Sequence, residues 1–111
     1  MHEDSNEINP VFKDFVLNYK FKVENNRYVP ITFSSVDEYD NNKFLNVYRF
    51  LTIILDHEYR RYRVIYSIFN KKSYSFTFDE NFNIKLKQKS KFLKLQDEII
   101  SVFEKSLLRN F

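Results

Sequence analysis

Three adjacent residues, Asp56, His57 and Glu58, are of the types that act as general acids and bases or bind metal ions. A metal ion needs ligands that converge on one point, whereas adjacent residues on a helix point about 100° apart. We therefore interpret this triplet as the polar end of a helix followed by a turn. The carboxylates of a nuclease site can come together only on folding, and they then leave no spacing pattern in the sequence. An enzyme is therefore a third alternative, after a protein-binding and a nucleic-acid-binding function.

The absence of two residue types excludes most catalytic machinery. The chain has no cysteine, so it has no thiol nucleophile and none of the common structural zinc sites. It also has no glycine, and therefore no glycine-rich phosphate loop. We expect a protein that is not an enzyme and that needs no cofactor or metal.

A second group of candidate functional residues has basic side chains. Residues 1–40 carry four basic and eight acidic side chains, a net charge of −4, whereas the rest of the chain has fourteen and seven, a net charge of +7. Clustered cations can contact phosphate groups, although a solvated surface explains the same pattern. The candidate residues for binding a partner or a nucleic acid are Arg60, Arg61, Arg63, Lys85, Lys87, Lys89, Lys91 and Lys94.

These cations lie in and after a stretch with the pattern of a β-meander. Three runs, Arg61–Phe69, Ser73–Asp79 and Phe82–Lys87, have the period of two that places successive side chains on opposite faces of a sheet, and the last two runs each have an apolar and a polar face. The links are short, which favours antiparallel neighbours. Alternation sends Tyr62 inward and Arg63 to the polar face. That face also carries the hydroxyl groups of Ser67, Ser73, Ser75 and Thr77.

The length and composition indicate one domain. A chain of 111 residues with 43% hydrophobic and 30% charged residues can form a single core and is too short for two. Residues 1–8 are polar and acidic, which predicts a flexible tail, and residues 9–111 form the predicted α+β domain. In a chain without glycine, asparagine is the residue that best tolerates the positive φ of a tight turn. Turns are therefore predicted at Asn25, Asn26, Asn70 and Asn81.

The elements before the meander follow from local signals. Asn9 and Pro10 have the pattern of a helix N-cap and first residue, which predicts a helix to about Asn18. A strand over Tyr19–Val23 and a return arm over Tyr28–Phe33 follow. We expect the second arm at a sheet edge, because a proline at position 30 cannot donate to a ladder.

Two further helices are predicted on either side of the meander. Ser35–Glu38 has the spacing of a capping box, and apolar residues recur at helical spacing over Lys43–Asp56. So broad an apolar surface predicts a central, buried helix, or else a partner-binding surface. Ser90 is the predicted N-cap of a last helix, Lys91–Arg109, that covers the sheet. We expect Leu51, Phe76, Ile84 and Ile99 in the core.

The predicted element order is α-β-β-α-β-β-β-α. From Lys43 onward it resembles the order of double-stranded RNA-binding domains, which carry lysines facing phosphate at the start of the last helix. Lys89, Lys91 and Lys94 stand there, although the family's glycines and small alanines are missing and Ser90 replaces the first of its paired lysines. The resemblance implies a topology and a nucleic-acid-binding alternative.

The partner predicted first is another protein. Most of the thirteen phenylalanines and eight tyrosines should form the core, and any that remain on the surface are good anchors for a protein interface. The abundance of Asn, Lys, Ile, Phe and Tyr is typical of an AT-rich genome, such as that of a phage or plasmid. We expect a cytoplasmic inhibitor, immunity or anti-defence factor with no membrane association, and a nucleic-acid-binding module as the alternative.

Overall fold

A computed structural model of the chain describes residues 7–39 and 42–109. They form an α+β fold, as predicted from the sequence. In chain order the elements are α1 (Pro10–Asn18), β1 (Val23–Glu24), β2 (Arg27–Tyr28), β3 (Ile31–Tyr39), β4 (Asn42–Asp56), β5 (Arg61–Ile68), β6 (Lys72–Phe78), a 3-10 helix (Leu86–Gln88) and α2 (Lys89–Arg109).

The sheet is an antiparallel meander. Its strand order is β3-β4-β5-β6, so each strand pairs with its neighbour in sequence. β1 and β2 form a separate hairpin whose two-residue turn, Asn25 and Asn26, has φ angles of 51° and 63°. Asparagine tolerates this left-handed conformation better than other residues with a side chain, which is why the hairpin forms without glycine. The predicted strand over Tyr19–Val23 is reduced to β1, and the predicted return arm Tyr28–Phe33 is divided between β2 and β3, with Pro30 between the two strands. β3 lies at the edge of the four-stranded sheet and pairs with β4.

The predicted central helix over Lys43–Asp56 is wrong, because this segment is the 15-residue strand β4. Its apolar residues are nearly continuous, so they satisfy helical and strand spacing alike. β4 pairs with β3 on one side and β5 on the other, and its β-branched and aromatic residues suit a pleated strand. The predicted capping box also fails, since Ser35–Glu38 lies within β3. The order of elements is therefore α-β-β-β-β-β-β-α, which removes the resemblance to double-stranded RNA-binding domains.

The predicted third meander strand, Phe82–Lys87, is also wrong. Only one bridge forms there, between Phe78 and Ile84. The φ angle of 61° falls on Phe82 and not on Asn81, and this left-handed residue turns the buried Phe82 ring into the core. Leu86, predicted to face inward, is 83% exposed.

Both helices cover one face of the sheet, which we call the inner face. Asn9 begins α1 as predicted: its Oδ1 accepts hydrogen bonds from the backbone N–H groups of Val11 and Phe12 at 3.0 and 3.1 Å. α2 crosses from β6 to β3, with the Phe92 ring 5.1 Å from that of Phe76. At its other end the ring of Phe103 lies 5.4 Å from that of Phe33.

The core lies between this face and the two helices. Three of the four predicted core residues, Leu51, Phe76 and Ile99, are buried, and Ile84 is partly buried against the core. The last helix is confirmed but begins two residues earlier than predicted, at Lys89, so Ser90 lies inside it and is not its N-cap.

The N-terminal segment makes its first described contacts at Glu7. The Gln96 side chain donates to the Glu7 carbonyl at 3.4 Å and accepts from the Asn9 N–H at 2.7 Å. Ile8 packs against the core. The predicted flexible tail included Glu7 and Ile8, whereas its other residues, 1–6, lie outside the described part of the chain.

Candidate interaction surface

The outer face of the sheet, opposite the two helices, carries an exposed apolar cluster. Its members are 36–58% exposed, and we call them the aromatic patch: Val36, Tyr48, Phe50 and Phe69. Val36 and Tyr48 are cross-strand partners, and the rings of Tyr48 and Phe69 meet edge to face at 6.3 Å. Phe50 follows on the same face of β4. Contiguous exposed aromatics of this kind are typical of a surface that binds another molecule.

Hydroxyl groups border the aromatic patch. Thr32 and Thr52 are cross-strand partners whose Oγ1 atoms lie 3.2 Å apart. Ser67 and Ser73 pair similarly, with Oγ atoms 3.0 Å apart. Each pair can also bond to an incoming polar group, because a hydroxyl both donates and accepts. The outer face therefore combines aromatic side chains with polar groups on a flat surface.

An open cleft of about 560 Å³ lies at the opposite end of this face, where β4 turns into β5. Its walls come from the β1–β2 hairpin, the end of β4, the start of β5 and Thr77 of β6. Three guanidinium groups line it, and we call it the arginine cleft after Arg27, Arg61 and Arg63. A guanidinium stays protonated at any physiological pH and can bond an anion through two N–H groups. The chemistry available here is anion binding.

The triplet of Asp56, His57 and Glu58 forms one wall of the cleft. It does not end a helix as predicted, because Asp56 is the last residue of β4. The Asp56 Oδ1 accepts from the N–H groups of Glu58 and Tyr59 at 3.0 and 3.2 Å, so this carboxylate stabilises the turn. The His57 ring packs 5.2 Å from that of Tyr28. Within the described residues, no three His, Asp or Glu side chains lie close enough together to hold a metal ion.

Arg61 is held by two contacts at the rim of the cleft. Its Nε lies 3.6 Å from the Asp56 Oδ2, and its guanidinium carbon lies 4.8 Å from the centre of the exposed Tyr59 ring. Arg60, the preceding residue, has a φ of 50°, which is unusual for a residue with a long side chain. The turn therefore exposes Arg60 and Arg61, and the backbone at Arg60 is strained.

The structure divides the predicted basic residues into two groups. Arg60, Arg61 and Lys85 line a second open cleft beside the first, and Arg63 points from the outer face. Lys89, Lys91 and Lys94 lie in the first two turns of α2, which packs on the inner face, and Lys87 lies in the 3-10 helix before it. All eight are exposed. They are not brought together on one face of the sheet.

One of the helix lysines packs against an aromatic ring of the sheet. The Nζ atoms of Lys91 and Lys72 lie 5.4 and 5.6 Å from the centre of the Tyr74 ring. A cation over an aromatic ring is attracted by the ring's negative face. The contact of Lys91 with Tyr74 therefore helps to fix the start of α2 against β6, whereas Lys72 belongs to the same strand as Tyr74.

A polar network ties the other end of α2 to the sheet. The Asp37 carboxylate accepts hydrogen bonds from Arg49 Nη1 and from Lys105 Nζ, the latter at 2.6 Å. The Tyr66 hydroxyl donates to Glu98 Oε1 at 2.9 Å. Burial, followed by the nearby Glu98 carboxylate, raises the pKa of Tyr66 to about 12. The network stabilises the position of the helix.

Four residues that the fold places on the outer face or in the cleft are not among the predicted site residues. Tyr48 and Phe50 belong to the predicted helix, Phe69 to the end of the first predicted meander strand, and Arg27 to the acidic segment 1–40. The available signal was the polar Asn46, Arg49 and Thr52 within the apolar run, since a wholly buried segment rarely carries so many.

Among the described helices, none combines the length and apolarity needed to cross a membrane. Comparison with protein-family models, with curated proteins and with solved structures found no match to this chain.

Proposed function

We propose that this protein is a small non-enzymatic binding module that recognises another protein through the outer face of its sheet. The observation that carries the proposal is the aromatic patch, which exposes Tyr48, Phe50 and Phe69 on a face with no described helix over it. Aromatic side chains supply large contact areas at low cost in conformational entropy, which is why they dominate binding energies at protein interfaces.

The module acts in the cytoplasm as an inhibitor, immunity factor or anti-defence factor of a phage or plasmid. The supports are its small size, its composition typical of an AT-rich genome, and the absence of cysteine and glycine chemistry. Inhibition by steric occlusion needs only a rigid surface, and this sheet provides one.

Affinity capture with tagged protein tests the proposal, followed by calorimetry with each purified candidate partner. We expect Phe50→Asp to weaken a genuine partner at least about tenfold, because a charge at the centre of an apolar contact is desolvated without compensation. Leu86→Asp is the matched control, since Leu86 is also exposed but lies away from the outer face. A partner that binds wild type and Phe50→Asp equally contradicts the proposed surface.

Nucleic-acid binding is the second candidate. It is favoured by the exposure of all eight predicted cations and by the position of Lys89, Lys91 and Lys94 in the first turns of α2. Their separation from Arg63 on the outer face weighs against one continuous track for a phosphate backbone.

A salt titration against short RNA and DNA duplexes tests this candidate, because each neutralised phosphate releases counterions. We expect weak binding at physiological salt, abolished by Lys91→Glu combined with Lys94→Glu. Tight binding at that salt, lost in the double variant, would replace the protein-binding proposal.

A further inference from the structure

The arginine cleft is assembled from distant parts of the chain. The hairpin contributes Arg27 and Tyr28, and the start of β5 contributes Arg61 and Arg63. Its volume of about 560 Å³ is within the range of ligand-binding clefts. Apolar atoms of Ile54 and of two tyrosines lie beside the guanidinium groups, and they strengthen electrostatic attraction by reducing contact with water.

The charges of the cleft are unbalanced toward the positive. The Asp56 carboxylate already accepts a hydrogen bond within the turn, and its Oδ2 lies 3.6 Å from the Arg61 Nε. Arg27 and Arg63 make no ion pair with any carboxylate of the described residues. Neither guanidinium can lose its proton, and with Arg61 the lining holds three cations against the two carboxylates of Asp56 and Glu58. An anionic group is therefore the complementary occupant.

The cleft lies at the end of the sheet, and its outer-face residues Ile54 and Arg63 share that face with the aromatic patch at a defined spacing. Ile54 is the cross-strand partner of Arg63, and Phe50 precedes Ile54 by four residues on the same strand. Four residues of strand span about 13 Å, and side chains four apart share a face. An extended segment with an acidic residue four positions from an apolar one matches both features.

A protein segment fits this arrangement better than a nucleic acid does. Glu58 also lines the cleft, and its carboxylate repels a continuous phosphate backbone more than it repels one or two side-chain carboxylates. The lysines of α2 lie on the inner face and cannot extend the track. The bases of a single strand can stack on Tyr48 and Phe50 just as apolar side chains can cover them, so Glu58 and the position of the α2 lysines are what favour a protein segment.

We infer that the arginine cleft binds the Asp or Glu side chains of an extended segment of the partner protein, next to the part of that segment that covers the aromatic patch. This inference rests on the protein-binding function proposed above. It adds to that function the chemical class of the partner: an acidic, apolar segment in strand conformation.

Two short capped peptides provide the test with the full chain. The first is Glu-Thr-Glu-Thr-Phe-Thr-Phe, and the second replaces both glutamates by glutamine. Binding is followed by shifts of backbone amide signals in a nitrogen-15 NMR titration. We expect the glutamate peptide to bind about two- to fivefold more tightly, the range of a partly exposed ion pair. The shifts should centre on Ile54, Arg63 and Phe50.

Arg63→Gln should remove the preference for the glutamate peptide, and Arg27→Gln should reduce it. Lys94→Gln is the matched control, because it removes an exposed cation from α2 and should leave the preference unchanged. Retention of the wild-type amide pattern away from the cleft shows that each variant is folded.

The outcomes separate the two proposals. Equal affinity for both peptides, with Phe50→Asp weakening both, overturns the cleft inference and leaves the protein-binding function standing. Affinity unchanged by Phe50→Asp overturns the function of the patch. The absence of shifts at Ile54 and Arg63 with the glutamate peptide also overturns the cleft inference. So does a short oligothymidylate that binds there at physiological salt more tightly than the peptide, an outcome that assigns the cleft to nucleic acid.

Discussion

The rings of Phe78 and Phe82 stack with their centroids 4.1 Å apart and their planes inclined by 5°. This contact depends on the left-handed conformation of Phe82, whose φ is 61°. The turn before it is held by the Asp79 carboxylate, which accepts from the N–H groups of Asn81 and Asn83, each at 2.9 Å. These bonds, chiefly the one from Asn83, lower the pKa of Asp79. A strained residue is stable here because its side chain fills the core.

Phe82→Ala should destabilise the protein by about 3–5 kcal/mol, because it leaves a cavity among Phe12, Tyr62 and Phe78. Phe82→Gly should be more stable than Phe82→Ala by up to about 1 kcal/mol, since glycine adopts a positive φ without strain. Urea unfolding of both variants measures the difference. Leu86→Ala, at an exposed position, should change stability by less than about 0.5 kcal/mol. A glycine variant less stable than the alanine variant would show that the φ angle carries no strain.

Arg60→Gly should stabilise the protein by about 0.5–1 kcal/mol. Arg60 has a φ of 50° on an exposed turn, so glycine relieves strain and leaves no cavity. Thermal unfolding measures the change. Arg61→Gly is the comparison: it lies in β5 and loses the contacts with Asp56 and Tyr59, so it should be destabilising. A fall in melting temperature for Arg60→Gly contradicts the prediction.

Tyr66 should make stability depend on alkaline pH. Its pKa in the folded protein is raised to about 12 from the usual 10.0 of tyrosine, because the hydroxyl is buried and donates to Glu98. As the pH rises, the unfolded state therefore loses this proton at a lower pH than the folded state does. The contribution is fully present below pH 10 and is lost as the pH rises toward 12, with a magnitude of about 1–2 kcal/mol.

Urea midpoints between pH 9 and 12 measure this dependence. Tyr66→Phe should flatten the profile over that window, although it also removes the Glu98 hydrogen bond at all pH values. Burial also raises the pKa of Tyr62, so some dependence of the same sign should remain. An unchanged profile in Tyr66→Phe would assign the alkaline transition to other groups.

Asp37→Ala should destabilise the protein by about 2–3 kcal/mol. Asp37 accepts from Arg49, whose side chain is only 18% exposed, and its loss leaves a largely buried cation without this partner. Lys105→Ala removes the other partner of Asp37 but should cost less than about 1 kcal/mol, because the Lys105 side chain is 49% exposed. Chemical denaturation of the two variants tests the ranking. Equal effects would show that Arg49 is solvated well enough not to need Asp37.

Local signals in the sequence determined where an element starts or turns when that position depends on one or two residues. Asn9 and Pro10 predict the start of α1 because the capping oxygen and the missing N–H act within one turn of helix. Asn25 and Asn26 predict a hairpin because few other residues adopt two consecutive positive φ angles. The alternation over Arg61–Ile68 correctly places Tyr62 inward and Arg63 outward, since a strand has only two faces.

Only the tertiary structure decided the conformation of Asn42–Asp56 and, with it, the candidate site. The apolar residues of this segment suit a helix or a strand, and hydrogen bonding to β3 and β5 on both sides selects the strand. As a strand, the segment buries Leu51 and Ile53 on the inner face and exposes Tyr48 and Phe50 on the outer face. As a helix, it would have placed all four on one broad apolar side. The arginine cleft likewise joins Arg27 to Arg63 across 36 residues of sequence. No local pattern encodes such a contact, because it forms only when the hairpin packs against the end of the sheet.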